Sequence, residues 1–305
     1  MWCATLTAVF VSLLPKVHGW GASGHEAVGA IAQQFLASEA SSFVASTLDS
    51  GETLSSAAPW ADDVRSESAF AWSAPLHFVD AEDDPPSSCS VSESRDCSDG
   101  ECILTAIANY TSRVVDDSLS HEQIYEALKF LDHFIGDIGQ PLHVEAFELG
   151  GNDIKAKCGG SSTNLQDSGL INKRLKADFG SSVATWANTL VTRIKSGEYA
   201  NLTSDWISCS STTEQVSRRE LRNVETDIKG HLASRSTTPL ECPHIWAVEA
   251  NELNCEFVFT YTQFSDLCST SYYDGAIPLI ELQLAKQGFR LAAWLNVLFD
   301  GSPNL

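Results

Sequence analysis

The strongest constraint on the fold is an apolar pattern that repeats with the period of an α-helix. In several segments the apolar residues recur at spacings of three and four, which places them on one face of a helix. Alternation with the period of a β-strand is weak throughout the chain. The pattern predicts helices over residues 25–39, 103–115, 122–135, 184–195 and 277–299. We therefore expect an all-α fold.

The sequence also indicates how these helices are organised. Its 305 residues are enough to bury a full core, and no long linker or internal repeat divides them. Residues 82–100 are rich in Ser, Asp and Pro and predict a loop, whereas residues 209–240 predict a variable, exposed excursion. Ser120 is expected to cap the helix over 122–135. We expect a single, mostly helical domain over residues 20–305.

Residues 1–19 resemble a secretory signal peptide, because an apolar run too short to span a bilayer ends at a small residue before Trp20. Removing them takes away Cys3 and leaves eight cysteines, compatible with up to four disulfides in an oxidising compartment. A zinc site built from thiolates is disfavoured, since the chain has no CxxC pair. The sequons at Asn109 and Asn201 fit a glycosylated export. We expect a secreted, extracellular protein.

The formal net charge of −21 limits the kind of partner that the protein can bind. A basic surface for nucleic acid is excluded, because binding a polyanion in that way requires many Lys and Arg side chains. A polyanionic substrate is still compatible with the sequence if bound cations supply positive charge locally. The alternative is that the acidity only keeps an exported protein soluble.

Three polar side chains that are costly to bury lie at and just beyond the end of a predicted apolar helix. His133 and Asp137 are four residues apart, so they share one helix face. Gly139 and Pro141 then break the helix, and His143 follows. Imidazole nitrogen and carboxylate oxygen are common zinc ligands. For an isolated pair, however, a structural hydrogen bond between Asp and His is the more common explanation.

Further candidate ligands lie nearer the start of the chain and shift the balance towards a metal site. Cleavage before Trp20 would create a free α-amino group, with a pKa of about 8, that can bind a metal together with its own carbonyl once deprotonated. His25 is close enough in sequence to join it. The segment WADDVR offers Asp62 beside Arg65, and LHFVD offers His77.

The order of these motifs resembles that of one protein family. The N-terminal WG…GH is followed by WADDVR, LHFVDAEDDPP, CILTAIANYTSR, FLDHFIGDIGQPLH, GGNDI and YYDGAIPLIELQLAKQGFRLAAWLN. This series closely resembles the S1/P1 nuclease family, the zinc-dependent single-strand-specific nucleases and 3'-nucleotidases of fungi and plants. The resemblance extends from Trp20 to about Leu298, and no single motif would carry it alone.

The resemblance implies three zinc ions held in a mostly helical fold. The ligands of the first ion would be Trp20, His25 and Asp137. The ligands of the second would be Asp62, His77, His133 and again Asp137. Asp137 would thus bridge the pair, which suits two neighbouring dications that need shared negative charge. His143 would bind the third ion.

The third site is where this chain departs from the family. Family members carry the run Asn-Leu-His-x-x-Trp-Asp, whereas here Gln166 replaces the His and about three residues are missing before Asp167. A neutral amide oxygen is a poor zinc ligand beside imidazole, so Asp167 is the remaining candidate. Either the third site is weakened, or the sequence reflects a misplaced exon boundary. The intact residues on both sides favour the second explanation.

The resemblance also implies roles at the substrate, which would be single-stranded RNA and DNA cleaved to 5'-phosphate products. Asp62 would orient the attacking water, and Arg65 would bind the phosphate. Phe78 would stack on a base and Asn152 would hydrogen-bond its edge, which favours single strands because a duplex hides its base faces. Without the resemblance, Arg65 would be assigned to an ion pair with Asp62 or Asp63, and Phe78 to the core.

Two disulfides follow from the resemblance, Cys89 with Cys255 and Cys97 with Cys102. The pairing of the other cysteines stays open at this stage, and so does a free thiol at any of them: Cys158, Cys209, Cys242 and Cys268.

Two other functions compete with a nuclease that also accepts 3'-nucleotides. A bacterial-type zinc phospholipase C has a similar fold and N-terminal Trp ligand. A catalytically impaired nucleotide-binding relative would explain Gln166. No segment after residue 19 is long and apolar enough for a membrane span, and we expect a monomer.

Overall fold

The computed structural model describes residues 20–163, 165, 168–216 and 238–305. The predicted signal peptide over 1–19 and most of the predicted excursion over 209–240 lie outside the described residues. The same holds for the candidate ligand Asp167 and its neighbour Gln166.

The described residues form a predominantly α-helical fold, as the apolar pattern predicts. The α-helices are α1 Gly21–Ala32, α2 Ser38–Thr47, α3 Leu54–Ala57, α4 Trp60–Val64, α5 Glu93–Asp96, α6 Ile103–Arg113, α7 His121–Asp137, α8 Ser168–Asp178, α9 Val183–Ser196, α10 Thr203–Trp206, α11 Glu241–Glu256 and α12 Ser271–Asp300. Short 3-10 helices are Ala71–His77, Pro141–Val144, Val258–Thr260 and Leu267–Ser269.

Four of the five predicted helices match observed ones closely, and their ends are set by local chemistry. The predicted cap of α7 is confirmed, because the Ser120 hydroxyl accepts a hydrogen bond from the backbone N–H of Gln123 at 3.3 Å. The long C-terminal helix begins at Ser271, earlier than predicted, and ends where Gly301 adopts a left-handed conformation with φ 77°. The predicted apolar periods therefore identify α6, α7, α9 and α12.

The single helix predicted over residues 25–39 is wrong, because the chain breaks between α1 and α2. Ala37 is extended, and its backbone N–H donates to Asn296 Oδ1 at 2.8 Å. The amide of Asn296 donates in turn to the carbonyl of Phe35 at 2.9 Å. The Asn296 side chain on α12 thus pairs with backbone groups that a continuous helix would satisfy through its own hydrogen bonds.

The sequence pattern also did not predict a short antiparallel hairpin. Strand β1 covers Ala156–Cys158 and strand β2 covers Ser161–Thr163. Gly159 and Gly160 form its turn with φ values of 59° and 82°, a conformation that favours glycine. Strands of three residues are too short to show the alternation that identifies a strand in sequence.

Helix α1 lies in the middle of the packing and approaches two neighbours closely. A Cβ atom at Gly29 would lie 2.5 Å from the carbonyl oxygen of Leu54 in α3. A Cβ atom at Gly288 of α12 would lie 2.6 Å from Ile31 Cβ. These glycines let α1 pack backbone to backbone, which fixes the position of the residues it carries. Among the described residues, the structure shows no helix whose length and apolar character would suit a bilayer.

Four disulfides join the eight cysteines of the described residues. The predicted pairs Cys89–Cys255 and Cys97–Cys102 are confirmed. The pairs that sequence reasoning left open are Cys158–Cys268 and Cys209–Cys242. Cys89–Cys255 ties the loop over 82–100 to the end of α11, a connection that bears on the functional site.

Candidate metal centre

Asp137, at the C-terminal end of α7, is the centre of a buried cluster of imidazoles. Its Oδ2 lies 2.9 Å from His133 Nε2 and 3.0 Å from His77 Nδ1. Its Oδ1 lies 3.1 Å from His25 Nε2 and 3.6 Å from His143 Nδ1. All five side chains are buried. The fold thus brings the predicted ligands from α1, α7 and the two 3-10 helices at Ala71–His77 and Pro141–Val144 to one point.

Backbone carbonyls fix which nitrogen of two imidazoles keeps a free lone pair. His133 Nδ1 lies 2.6 Å from the carbonyl oxygen of Ala58, and His143 Nδ1 lies 2.7 Å from that of His77. Since Nδ1 donates in both rings, the neutral imidazoles present Nε2 as a lone pair. This is the arrangement in which histidine binds a metal, with the second nitrogen held by an outer hydrogen bond.

The cluster contains two overlapping sets of donor atoms. The ligand atoms of His25, His133 and Asp137 lie within 4.8 Å of one another. Those of Asp62, His77 and His133 form a second set of the same spread. His25 Nε2 and Asp137 Oδ1 lie 3.1 Å apart without the geometry of a hydrogen bond, and Asp62 Oδ1 has an ion pair with Arg65 but no hydrogen bond among the described residues. Unpaired buried polar atoms are costly, so a bound cation fits this donor set.

Trp20 lies beside this cluster, at the start of α1. Its indole is fully buried, and Nε1 donates to the carbonyl of Gly136 at 2.9 Å, one residue before Asp137. A Cβ atom at Gly24 would lie 2.4 Å from Trp20 Cβ, so glycine is needed there for the tryptophan to fold back over α1. The indole therefore anchors the backbone of residue 20 next to α7. Its role as an N-terminal ligand stays a prediction.

The electrostatics of the cluster combine burial with close opposite charges. Burial lowers the pKa of His77 to about 4 and also lowers the pKa of His25. Burial alone would lower the pKa of His133 too, but the carboxylates of Asp137 and Asp62 raise it to about 9. Burial opposes ionisation of Asp137, yet the imidazoles around it hold its pKa well below the usual range. Without a metal, the cluster therefore holds a proton on His133.

The comparisons with known proteins agree with this geometry. Residues 20–300 match the model of the S1/P1 Nuclease family. Nuclease PA3 of Penicillium sp is 42% identical over 286 residues, which cover 91% of this chain and 97% of that protein. The chain belongs to the S1/P1 nuclease family. Nuclease S1 of Aspergillus oryzae is 38% identical over 302 residues, which cover 96% of this chain and 96% of that protein. Endonuclease 2 of Arabidopsis thaliana is 33% identical over 310 residues, which cover 96% of this chain and 95% of that protein. The resemblance inferred from the motifs is confirmed.

The pKa shifts predict how the stability of this nuclease depends on pH once metal has been removed. His133 has a folded pKa of about 9 against an ordinary value of 6.5, so its stabilisation is complete below pH 6.5 and is lost as the pH rises to 9. His77, with a folded pKa of about 4, stabilises above pH 6.5 and loses this contribution as the pH falls to 4. The contribution of these two groups to the free energy of unfolding should be largest near pH 6.5 and fall by about 3 kcal/mol on each side. It adds to the decline between pH 4.5 and 8 that comes from Glu145, whose pKa burial raises to about 8.

Urea unfolding of the chelated protein across pH 4–9 measures this profile. Enzyme reloaded with zinc is the control. A dication in place of the proton should remove the decline between pH 6.5 and 9. A flat profile in the chelated protein would contradict the assignment of that proton to His133.

Asp62 on α4 and Arg65 directly after its end lie at the edge of the centre. Arg65 Nη1 lies 3.3 Å from Asp62 Oδ1, so the ion pair that the sequence allowed is formed with Asp62. The same oxygen lies 3.7 Å from His77 Nδ1 and 3.8 Å from His133 Nε2. Asp62 therefore connects the guanidinium group of Arg65 to the imidazoles.

Phe78 and Asn152, the predicted base-binding residues, flank the segment that carries His143. Phe78 directly follows His77 and is half-buried. Asn152 Nδ2 donates to the carbonyl of Leu149 at 2.6 Å, in a loop where residues 148–151 all have positive φ. A Cβ atom at Gly150 would lie 2.5 Å from the Leu142 carbonyl oxygen, so glycine is needed for this close approach. Base binding by the two residues stays a prediction.

The third predicted site is described only on the His143 side. His143 is 3% exposed, and its Nε2 is buried without a hydrogen-bond partner among the described residues. The other candidates, Gln166 and Asp167, lie outside the described residues. Two asparagines of α11 that the sequence did not predict, Asn251 and Asn254, hold the His143 segment from behind. They carry no signal in a single sequence beyond a spacing of three on a helix.

Proposed function

We propose that this member of the S1/P1 nuclease family is a secreted zinc-dependent enzyme that cleaves single-stranded RNA and DNA to 5'-phosphate products. Family membership makes the chain a nuclease and therefore a phosphodiesterase. The observation that carries the proposal is the buried cluster of imidazoles around Asp137. His133 and His143 each keep a free Nε2 lone pair, because backbone carbonyls hold their Nδ1.

The donor set suits zinc, which is bound by imidazole nitrogen and carboxylate oxygen. We assign one ion to Trp20, His25 and Asp137, a second to Asp62, His77, His133 and Asp137, and a third to His143 with Asp167. Zinc would supply positive charge for the phosphate and lower the pKa of water that attacks phosphorus. Local cations also resolve the conflict between a polyanionic substrate and a formal net charge of −21.

The side chains around the centre have separate roles at the attacking water, the phosphate and the base. Asp62, paired with Arg65 at 3.3 Å, orients the attacking water, while Arg65 offers its guanidinium group to the phosphate. Phe78 and Asn152 hold an unstacked base by its face and its edge. Single strands are preferred because only an unpaired base exposes both its face and its edge.

The proposals on secretion, glycosylation, oligomeric state and 3'-nucleotide substrates rest on the sequence. Residues 1–19 serve as a signal peptide, which exposes the α-amino group of Trp20 in a secreted chain whose nuclease domain spans 20–305. Asn109 and Asn201 are proposed glycosylation sites, Asn201 exposed after α9 and Asn109 half-buried on α6. The enzyme acts as a monomer, and 3'-nucleotides are further substrates.

The phospholipase and the impaired relative are not favoured. The fungal relatives named above are all called nucleases and span nearly the whole chain. The ligands around Asp137 are intact, so Gln166 affects at most the third site.

The test compares a fluorescent single-stranded oligonucleotide with its duplex, using zinc-loaded enzyme from the secreting host. Unpairing a base costs a few kcal/mol, so the single strand should be cleaved on the order of 100-fold faster and leave 5'-phosphates detectable by mass spectrometry. Phosphatidylcholine vesicles serve as the second substrate. Hydrolysis of the lipid without cleavage of RNA would establish the phospholipase, and nucleotide binding without any hydrolysis would establish the impaired relative.

A further inference from the structure

Two buried asparagines on α11 lie directly behind the 3-10 helix Pro141–Val144 that carries His143. Asn251 is 1% exposed and Asn254 is fully buried, and a spacing of three places them on one helix face. Asn251 Nδ2 donates to the carbonyl of Val144 at 2.8 Å. Asn254 Nδ2 donates to the carbonyl of Pro141 at 2.8 Å. The two amides therefore hold the first and last residues of the short helix.

Acidic side chains fix the orientation of both amides. Asn251 Nδ2 also donates to Asp83 Oδ2 at 3.1 Å, and Asn254 Nδ2 lies 3.4 Å from Glu145 Oε2. Asp83 Oδ2 in turn accepts from the backbone N–H of Ser90 at 2.8 Å. The disulfide Cys89–Cys255 joins the neighbours of Ser90 and Asn254, so the loop and α11 are covalently tied at this point.

The opposite side of the same segment is held by the residues that follow another ligand. His143 Nδ1 donates to the carbonyl of His77, and the backbone N–H of Val79 donates to the carbonyl of His143 at 2.9 Å. The segment is thus clamped between residues 77–79 and α11. The clamp leaves His143 Nε2 as a buried atom without a hydrogen-bond partner among the described residues.

We propose that Asn251 and Asn254 are positioning residues, which fix the backbone around His143 so that its Nε2 is held in the geometry of a metal ligand. The inference rests on the proposed function of His143 as a zinc ligand. Hydrogen bonds to a ligating side chain change metal affinity by about 10- to 100-fold when they are removed, and we expect an effect of the same order from bonds that fix the backbone on both sides of the ligand. The asparagines would therefore set the affinity of the ion that His143 binds and leave the ions around Asp137 in place.

The competing explanation is that both asparagines only stabilise the fold, and the chain offers a matched control. Asn296 on α12 is fully buried, and its Nδ2 donates to the carbonyls of Phe35 and Pro303 at 2.9 and 2.6 Å. It thus has the same chemistry as Asn254 at a place where no predicted ligand lies. Replacing either by leucine removes the amide at similar volume and leaves backbone carbonyls unpaired.

The experiment titrates zinc from the holoenzyme with a chelator and records urea unfolding of the same variants. Asn254→Leu and Asn251→Leu should weaken the most loosely held ion by 10- to 100-fold, whereas Asn296→Leu should lose comparable stability at unchanged zinc affinity. If Asn254→Leu fails to fold, Asn251→Leu, which leaves the Pro141 bond intact, carries the test. Equal zinc affinity in the wild type, Asn251→Leu and Asn296→Leu would overturn the proposal.

His143→Ala separates this inference from the function on which it rests. Loss of one ion in His143→Ala, together with weakened binding in the asparagine variants, supports both. Loss of one ion in His143→Ala with unchanged binding in the asparagine variants overturns only the positioning role. Unchanged zinc content in His143→Ala overturns the assignment of His143 as a ligand, and the positioning role with it.

Discussion

Replacing Asp137 by asparagine should abolish nuclease activity and release the two ions that we propose it would bridge. The carboxylate lies within 3.1 Å of His25, His77 and His133, so the substitution keeps the shape and removes the charge from the middle of the cluster. Two dications without a shared anion repel each other at close range. Since metal ions contribute several kcal/mol to such a reaction, we expect kcat/KM on single-stranded DNA to fall on the order of 10⁴-fold.

A neighbouring aspartate on α7 provides the control for this variant. Asp132 is fully buried, and burial raises its pKa well above the ordinary value, which favours the neutral carboxyl group that an amide resembles. Asp132→Asn should keep its zinc and most of its activity. The account is contradicted if Asp137→Asn keeps the zinc content and turnover of Asp132→Asn.

An enzyme that begins at Gly19 instead of Trp20 should lose the ion held at the N-terminus and at least about 100-fold of its activity. One additional residue converts the α-amino group of Trp20 into an amide, which cannot bind the metal through nitrogen at neutral pH. The buried indole, held to the Gly136 carbonyl at 2.9 Å, keeps the backbone of residue 20 beside Asp137 and prevents the new terminus from taking its place.

Refolding both forms from inclusion bodies and measuring zinc content together with cleavage of single-stranded DNA tests this prediction. The control carries the extra glycine after Leu305 at the other end of the chain. Full zinc content and activity in the enzyme that begins at Gly19 would show that the α-amino group is not a ligand.

The sequence predicted the part of the site that lies on one element. His133 and Asp137 are brought together by the spacing of four on α7, and their position on a helix followed from local periodicity. His25, Asp62 and His77 were candidates from their own segments, but only the family resemblance placed them in one site with Asp137. Periodicity shows that α1 and α4 have apolar faces, but it does not show which helices those faces meet.

The contacts that were not predicted depend on residues far apart in the chain. The break after α1 is formed by Asn296, 259 residues away from Ala37. The hydrogen bond from Asn254 to Pro141 joins residues 113 positions apart. A single sequence gives no signal for such pairs, because an asparagine that caps a distant backbone has the same local pattern as one on the surface.

Zinc content per chain in the natively secreted enzyme, measured by elemental analysis after exhaustive dialysis, shows directly whether metal occupies the proposed sites. We expect three ions per chain, two around Asp137 and one at His143. Two ions would leave the cluster around Asp137 intact and remove the third site. An enzyme that cleaves single-stranded DNA at full rate with less than one zinc ion per chain would contradict the account.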